Sequence, residues 1–293
     1  MSVFQGSAVA AITPFRDGKV DFDSYGRLID WLIDEGSDAI VSCGTTGEAS
    51  TLEWREQIET IAFAVKRANG RVPVLAGVGA NATSEAVEGS KGAEDIGADA
   101  LLHVTPYYNK CSRQGLIEHF MACAKAVKIP IILYSVPSRT GLNIAPDVCA
   151  ELADVDNIVG IKEASGDISQ VAEIARVTRG KEFDLWSGND DMIIPLMSVG
   201  GVGAISTVAN IVPRQIHELC ATYASGDKDE AARIQLDLKP LIDAVFMEVN
   251  PIPIKAAAHL MGLCEYEYRL PLCPLEATNF DRLKKCMGDY KLV

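Results

Sequence analysis

The sequence predicts a (β/α)8 barrel with a C-terminal helical appendix, and three observations predict it. Short apolar runs alternate with amphipathic helical patterns eight times within about 225 residues, which calls for a parallel sheet. The runs are apolar throughout, as strands covered on both faces are. Beyond Gly226 only helical periodicity remains. Eight repeats in that length fit a closed barrel better than a doubly wound sheet, which has fewer strands. The expected division is a barrel over residues 1–225 and a helical domain over 226–293, with no low-complexity linker between them.

Ala8-Val9-Ala10-Ala11-Ile12 reads as the first strand, closed by Thr13-Pro14. Tyr25, Leu28, Ile29, Leu32 and Ile33 then recur at helical spacing between Phe22 and Glu35. Gly36 ends that helix, and Ala39-Ile40-Val41 opens the second strand. The alternation continues with helix Glu53 to Arg67, strand Val72 to Val78, helix Ser84 to Ile96 and strand Ala100 to Val104. Helix Gln114 to Val127 and strand Ile129 to Tyr134 come next, and a short helix after Pro146 leads to a sixth strand ending on Lys162. Helix Ile168 to Val177, strand Phe183 to Trp186, helix Met192 to Val199, strand Val202 to Ser206 and a helix from Pro213 to about Ala224 complete the barrel. Three further helices are expected over Asp229 to Val249, Pro253 to Met261 and Pro274 to Met287.

A net charge of −13 with no basic cluster argues against a nucleic-acid or anionic-membrane surface. It does not argue against a small anion, which one arginine or helix N-terminus can hold. The eight cysteines are scattered without a Cys-x-x-Cys pair, and Cys123 and Cys149 fall within helical patterns as small hydrophobes do. No signal-peptide pattern opens the chain and no apolar run is long enough to span a bilayer. A cytoplasmic protein with reduced thiols is therefore expected. His103, His119, His217 and His259 show no ligand spacing, so no metal is expected. Phosphate-loop and dinucleotide fingerprints are absent, since Gly77-Val78-Gly79-Ala80 lacks the third glycine.

Sites of such barrels lie at the C-terminal ends of the strands. In Ile158-Val159-Gly160-Ile161-Lys162-Glu163-Ala164-Ser165 the strand ends on a lysine. Burying an ammonium is costly, and a desolvated amine is partly neutral and able to condense with a ketone as a Schiff base. The alternative is a lysine that leans into solvent or pairs with Glu163. After the second strand, Gly44-Thr45-Thr46-Gly47-Glu48 is either an anion cradle, its small residues letting backbone amides approach, or a plain turn. Thr105-Pro106-Tyr107-Tyr108-Asn109 follows the fourth strand. Tyr134 ends the fifth, ahead of Val136-Pro137-Ser138-Arg139-Thr140-Gly141, and Gly203-Ala204-Ile205-Ser206 ends the eighth. Singly, a strand-end tyrosine is half-buried packing and a loop arginine is solvated. Together they gather a lysine, three tyrosines, two threonines and an arginine on one rim. Imine formation needs a proton donor and acceptor near the lysine, which a tyrosine supplies. Arg139 can fork onto a carboxylate.

These motifs, together with Asn250-Pro251-Ile252-Pro253-Ile254-Lys255, resemble the dihydrodipicolinate synthase family in register along nearly the whole chain. The wider superfamily, with N-acetylneuraminate lyase and keto-deoxy sugar-acid aldolases, shares the lysine and the tyrosine. The Thr45-Thr46 pair, the Tyr107-Tyr108 pair and Arg139 point to the synthase. The resemblance implies a class I aldolase-type lyase that condenses pyruvate with L-aspartate-4-semialdehyde in lysine biosynthesis through diaminopimelate. Lys162 would form the imine with pyruvate. Tyr134 would shuttle protons, linked through Thr45 to a Tyr108 lent by a neighbouring subunit, so a homotetramer built as a dimer of dimers is expected. Thr46 and the backbone around Ile205 would hold the pyruvate carboxylate, and Arg139 that of the semialdehyde. No cofactor is needed, because the imine itself is the electron sink.

Two flanking positions depart from the family pattern: Ser135, where asparagine is common, and Cys111, where proline is common. Both bear on loop geometry more than on chemistry. The family's lysine feedback pocket maps onto Ala49, Trp54, Gln57, Asn81, Glu85 and Tyr107. Asn81, Glu85 and Tyr107 fit an amino-acid site, while Ala49, Trp54 and Gln57 depart from its Ser/His/His form, which leaves inhibition by L-lysine open. Two other functions stay in view. One is a superfamily aldolase using the same imine on a sugar acid, against which Arg139 argues. The other is a non-catalytic keto-acid sensor, against which the intact Lys162 and Tyr134 argue.

Overall fold

The computed structural model describes residues 2–293. The chain opens with β1 (Gly6–Ala10), a small hairpin of β2 (Phe15–Arg16) and β3 (Lys19–Val20), then α1 (Phe22–Asp34), β4 (Ala39–Ser42) and α2 (Trp54–Ala68). Next come β5 (Val74–Gly77), α3 (Thr83–Asp95), β6 (Ala100–Val104), α4 (Arg113–Ala126), β7 (Ile131–Ser135), the one-turn α5 (Pro137–Thr140) and α6 (Pro146–Leu152). The barrel continues through β8 (Ile158–Glu163), α7 (Ile168–Val177), β9 (Asp184–Ser187), α8 (Ile193–Ser198), β10 (Gly203–Ser206) and α9 (Pro213–Ser225). Three helices end the chain, α10 (Lys228–Val245), α11 (Ile252–Leu260) and α12 (Ala277–Asp289). All strands outside the hairpin are parallel and close on themselves in the order β1-β10-β9-β8-β7-β6-β5-β4. This is the expected (β/α)8 barrel.

Side chains alternate along each strand, and both faces are covered. On β7, Ile131 and Leu133 join the layer under the helices, whereas Ile132 and Tyr134 join the cluster on the barrel axis. The cluster on the axis combines small residues, Ala8, Ala10, Ala39 and Ala100, with the large ring of Trp186. Trp186 stacks on Phe4 with ring centroids 5.0 Å apart. The inside is thus a packed core whose upper layer carries the chemistry. Outside, Leu238, Ile242, Ile254, Ala257, Leu283 and Met287 of the last three helices share one cluster with Val9, Ile40, Ile216 and Leu219.

Differences from the sequence expectation have local causes. The hairpin escaped notice because two-residue strands carry no periodicity, although Asp17-Gly18 (φ 53° and 75°) makes the left-handed turn that an Asp-Gly pair favours. Strands expected from Val72 and Ile129 begin at Val74 and Ile131. Pro73 and Pro130 lack an N–H and serve only as acceptors, for Ile40 N and Leu101 N. The first strand ends at Ala10, because Ile12 N turns aside to Asn210 Oδ1 at 3.0 Å.

His103 on β6 is fully buried, and burial, helped by nearby His119, pushes its imidazole down from 6.5 to about 3. Between those values the unfolded chain binds a proton that the folded chain does not, so stability falls as pH drops through that window. The expected slope from His103 alone is up to about 1.4 kcal/mol per pH unit. Urea unfolding of the parent and of His103→Gln at neutral and mildly acidic pH should show the variant losing less stability by about that amount.

Candidate active site

Strand register assembles the centre. Across β6 to β9, Val104 pairs with Tyr134, Tyr134 with Lys162, and Lys162 with Trp186, so the register sets these residues side by side on adjacent strands. Period two turns Tyr134 and Lys162 to the axis. Lys162 is 5% exposed, and its Nζ lies 4.4 Å from the centroid of the Tyr134 ring. The neighbouring Glu163 does not pair with it. That carboxylate accepts from Ser165 N at 3.1 Å and from Gln170 Nε2 at 3.0 Å. No carboxylate among the described residues forms an ion pair with Lys162. Space for its stem depends on Gly188, where a Cβ would stand 2.7 Å from Ala164 Cβ and 3.0 Å from Lys162 Cε.

A cavity of about 320 Å³ opens above this layer and is lined by Thr45, Tyr107, Tyr134 and Arg139, with Ala49 and Gln57 to one side. Arg139 is carried by α5 and is anchored, its Nη2 donating to the Asn250 carbonyl at 3.0 Å. Thr46 lies just behind the lining. Its Oγ1 accepts from Asn250 Nδ2 at 3.0 Å and sits 3.2 Å from Thr207 Oγ1. Ile205 is fully buried on β10, in the axial cluster with Tyr134 and Trp186. Tyr108 stands apart, 91% exposed and left-handed at φ 74°, outside the cavity lining.

The loop from Gly44 to Gly47 is held at both ends by strained residues, Cys43 and Glu48, each at φ 56°. Thr13 Oγ1 donates to the Gly47 carbonyl at 2.7 Å. Glu48 accepts from Lys255 Nζ at 2.5 Å, and both side chains are fully buried. The ammonium also sits 3.9 Å from the Phe15 ring centroid. Burial pushes Lys255 below the usual lysine value, against the pull of the Glu48 charge. The turn after the second strand is thereby bolted to α11.

Around Tyr107, Asn81 Nδ2 donates to the Tyr107 carbonyl at 3.3 Å, and Glu85 occupies the first turn of α3. Gln57 spends its amide protons on the Ala49 and Leu52 carbonyls, at 2.8 and 3.3 Å. Trp54 lies close over Gly89, where a Cβ would be 3.2 Å from its ring. Ser135 is tied into the turn that follows β7. It donates to Asn143 Oδ1 at 3.0 Å and accepts from Ile144 N at 3.2 Å. Cys111 is half-buried, directly ahead of Ser112, which caps α4 by accepting from Gly115 N.

Four residues at the centre carried no assignment from sequence: Asp190, Thr207, Asn250 and Lys255. Asp190 is buried beyond β9, and its Oδ2 accepts from Thr207 N at 3.1 Å and Val208 N at 2.9 Å. Burial raises its pKa, while these hydrogen bonds and the Lys162 charge pull it back. Its place just after a barrel strand was a usable signal. Asn250 and Lys255 come from outside the barrel repeat, where no strand-end rule reaches. Among the described residues there is no cluster of three or more metal-ligating side chains, and no helix is long and apolar enough to cross a membrane.

The model of the dihydrodipicolinate synthetase family matches residues 3–289. The chain is 53% identical over 294 residues to the 4-hydroxy-tetrahydrodipicolinate synthase of Thermoanaerobacter sp. (strain X514), covering 100% of this chain and 99% of the relative. It superposes with a TM-score of 0.96 on the chloride-inhibited dihydrodipicolinate synthase from Acinetobacter baumannii complexed with pyruvate, at 43% identity and 99% coverage of both chains. It superposes with a TM-score of 0.97 on the synthase from Cyanidioschyzon merolae with lysine bound, at 38% identity and 100% coverage of both. With the lysine layer, the tyrosine and the arginine in place, the chain belongs to the dihydrodipicolinate synthetase family.

Proposed function

We propose that the chain is a lyase condensing pyruvate with L-aspartate-4-semialdehyde to 4-hydroxy-tetrahydrodipicolinate, in the diaminopimelate route to lysine. The observation that carries the reading is the buried Lys162 amine, in no ion pair among the described residues and set against Tyr134, whose ring lines a cavity shared with Thr45 and Arg139. Lys162 Nζ adds to the pyruvate ketone, and loss of water leaves an imine. A methyl proton departs, and the resulting enamine carbon attacks the aldehyde. The amine of the condensed chain then attacks the imine carbon, closing the ring as the bond to Nζ breaks. Tyr134 passes the protons, relayed through Thr45 to Tyr108.

Tyr108, 91% exposed in the single chain, fits a residue lent to a neighbouring subunit. A homotetramer and a cytoplasmic location belong to this reading. Thr46 and the backbone at Ile205 hold the pyruvate carboxylate, and Arg139 holds that of the semialdehyde. The imine is the electron sink, so no cofactor enters. Residues 1–225 form the catalytic barrel and 226–293 the helical domain that backs it.

Intact mass after pyruvate and borohydride should show one reduced adduct per chain, and a coupled assay should show turnover of the semialdehyde. An adduct without turnover would move the assignment to a sugar-acid aldolase. Absence of an adduct would leave only a keto-acid sensor.

L-lysine is proposed as an inhibitor at Ala49, Trp54, Gln57, Asn81, Glu85 and Tyr107, supported by the lysine-bound relative and the Asn81–Tyr107 contact. Glu85→Ala should weaken inhibition about tenfold by removing a charged partner of the amine. Activity that stays flat up to millimolar lysine would remove this site.

A further inference from the structure

Asn250 is where the C-terminal segment reaches the cavity wall. Its Nδ2 donates to Thr46 Oγ1, and its backbone carbonyl accepts from Arg139 Nη2, each at 3.0 Å. The residue is buried, and its own Oδ1 has no partner among the described residues. One residue therefore touches both side chains assigned to carboxylates. Thr46 Oγ1 also lies 3.2 Å from Thr207 Oγ1. A hydroxyl oxygen has two lone pairs and one proton. Asn250 Nδ2 can only donate and so occupies one lone pair of Thr46. The Thr46–Thr207 contact has two settings, and in the one where Thr207 donates, Thr46 can form a further bond only by giving its proton away. A hydroxyl saturated in this way is a preset donor, which is what an anion requires.

We propose that Asn250 is a positioning residue that turns Thr46 into a hydrogen-bond donor toward the keto-acid carboxylate while stationing Arg139 for the second carboxylate. The C-terminal segment thus sets both anion sites. This rests on the proposed pyruvate and semialdehyde reading.

The two contacts come from different parts of Asn250, so substitutions separate them. Asn250→Ala deletes the N–H to Thr46 and keeps the carbonyl to Arg139. The pyruvate concentration that half-saturates borohydride trapping, and the KM for pyruvate, should rise about tenfold, while the KM for the semialdehyde stays within about twofold. Asn250→Asp accepts the Thr46 proton and repels the substrate anion, so the rise should reach about 100-fold. Thr207→Val removes the other hydroxyl partner of Thr46 at similar volume and should shift pyruvate alone, in the same direction as Asn250→Ala. Thermal midpoints are read in parallel, because a purely structural role would move the midpoint and both KM values together.

Equal rises for the two substrates, or Asn250→Asp no worse than Asn250→Ala, would overturn the proposal. A parent protein that forms no adduct overturns the functional reading and this one with it. A parent that turns over both substrates while its variants fail to split the KM values sinks only the role of Asn250.

Discussion

Lys162→Ala should abolish the borohydride-trapped pyruvate adduct and lower kcat by at least about 10⁴-fold, as loss of a covalent nucleophile does. The argument is positional. Lys162 is on the barrel axis, 5% exposed, with Tyr134 against its amine. Glu163, the carboxylate next to it in sequence, is turned outward and engaged by Ser165 and Gln170. Lys162→Met keeps most of the stem and should be as inactive as Lys162→Ala, which separates loss of the amine from loss of packing. Tyr134→Phe keeps the ring and removes only the hydroxyl. It should still trap pyruvate, slowly, with turnover down by about 10²–10⁴-fold, the range for a lost proton-transfer group. Trapping that persists in Lys162→Ala would place the nucleophile elsewhere and refute the mechanism.

The largest stability effect is expected at the other buried lysine. Lys255→Met strands Glu48 without a counter-charge in the core and should cost about 3–5 kcal/mol in urea unfolding. Both side chains are fully buried, and Glu48 Oε2 has no other partner among the described residues. Glu48→Met combined with Lys255→Met removes both charges and should recover most of that loss, because replacing a buried pair with apolar groups is often neutral or better. Function should follow the loop. Glu48 anchors the strained end of the turn that carries Thr45 and Thr46, so Lys255→Met should also weaken pyruvate binding. A single variant as stable as the parent would show that the pair does not hold the turn.

Much of this is legible in the sequence alone. Alternation of apolar runs with amphipathic helices is a local signal, and it determined the barrel and the helical tail. The rule that chemistry sits at strand ends points to Thr45, Thr46, Tyr107, Tyr108, Tyr134, Arg139 and Lys162, since strand ends can be found by counting, while Ile205 follows from the family resemblance. Boundaries slipped where prolines lack an N–H and where the Asp17-Gly18 hairpin was too short to have a period.

What stayed hidden are contacts between residues far apart in the chain. The sequence offers two apolar-flanked lysines, Lys162 and Lys255, and local pattern does not say which is paired. Only the fold shows Lys255 closed on Glu48, 207 residues away, and Lys162 outside any ion pair among the described residues. Asn250 meets Thr46 across 204 residues and Arg139 across 111. Such partners have no shared periodicity, because one arrives on a barrel loop and the other on a segment outside the repeat. Hydrophobic spacing is written into each element by its own burial. Which polar groups meet is decided only when those elements pack, when an unpaired buried donor or acceptor becomes costly.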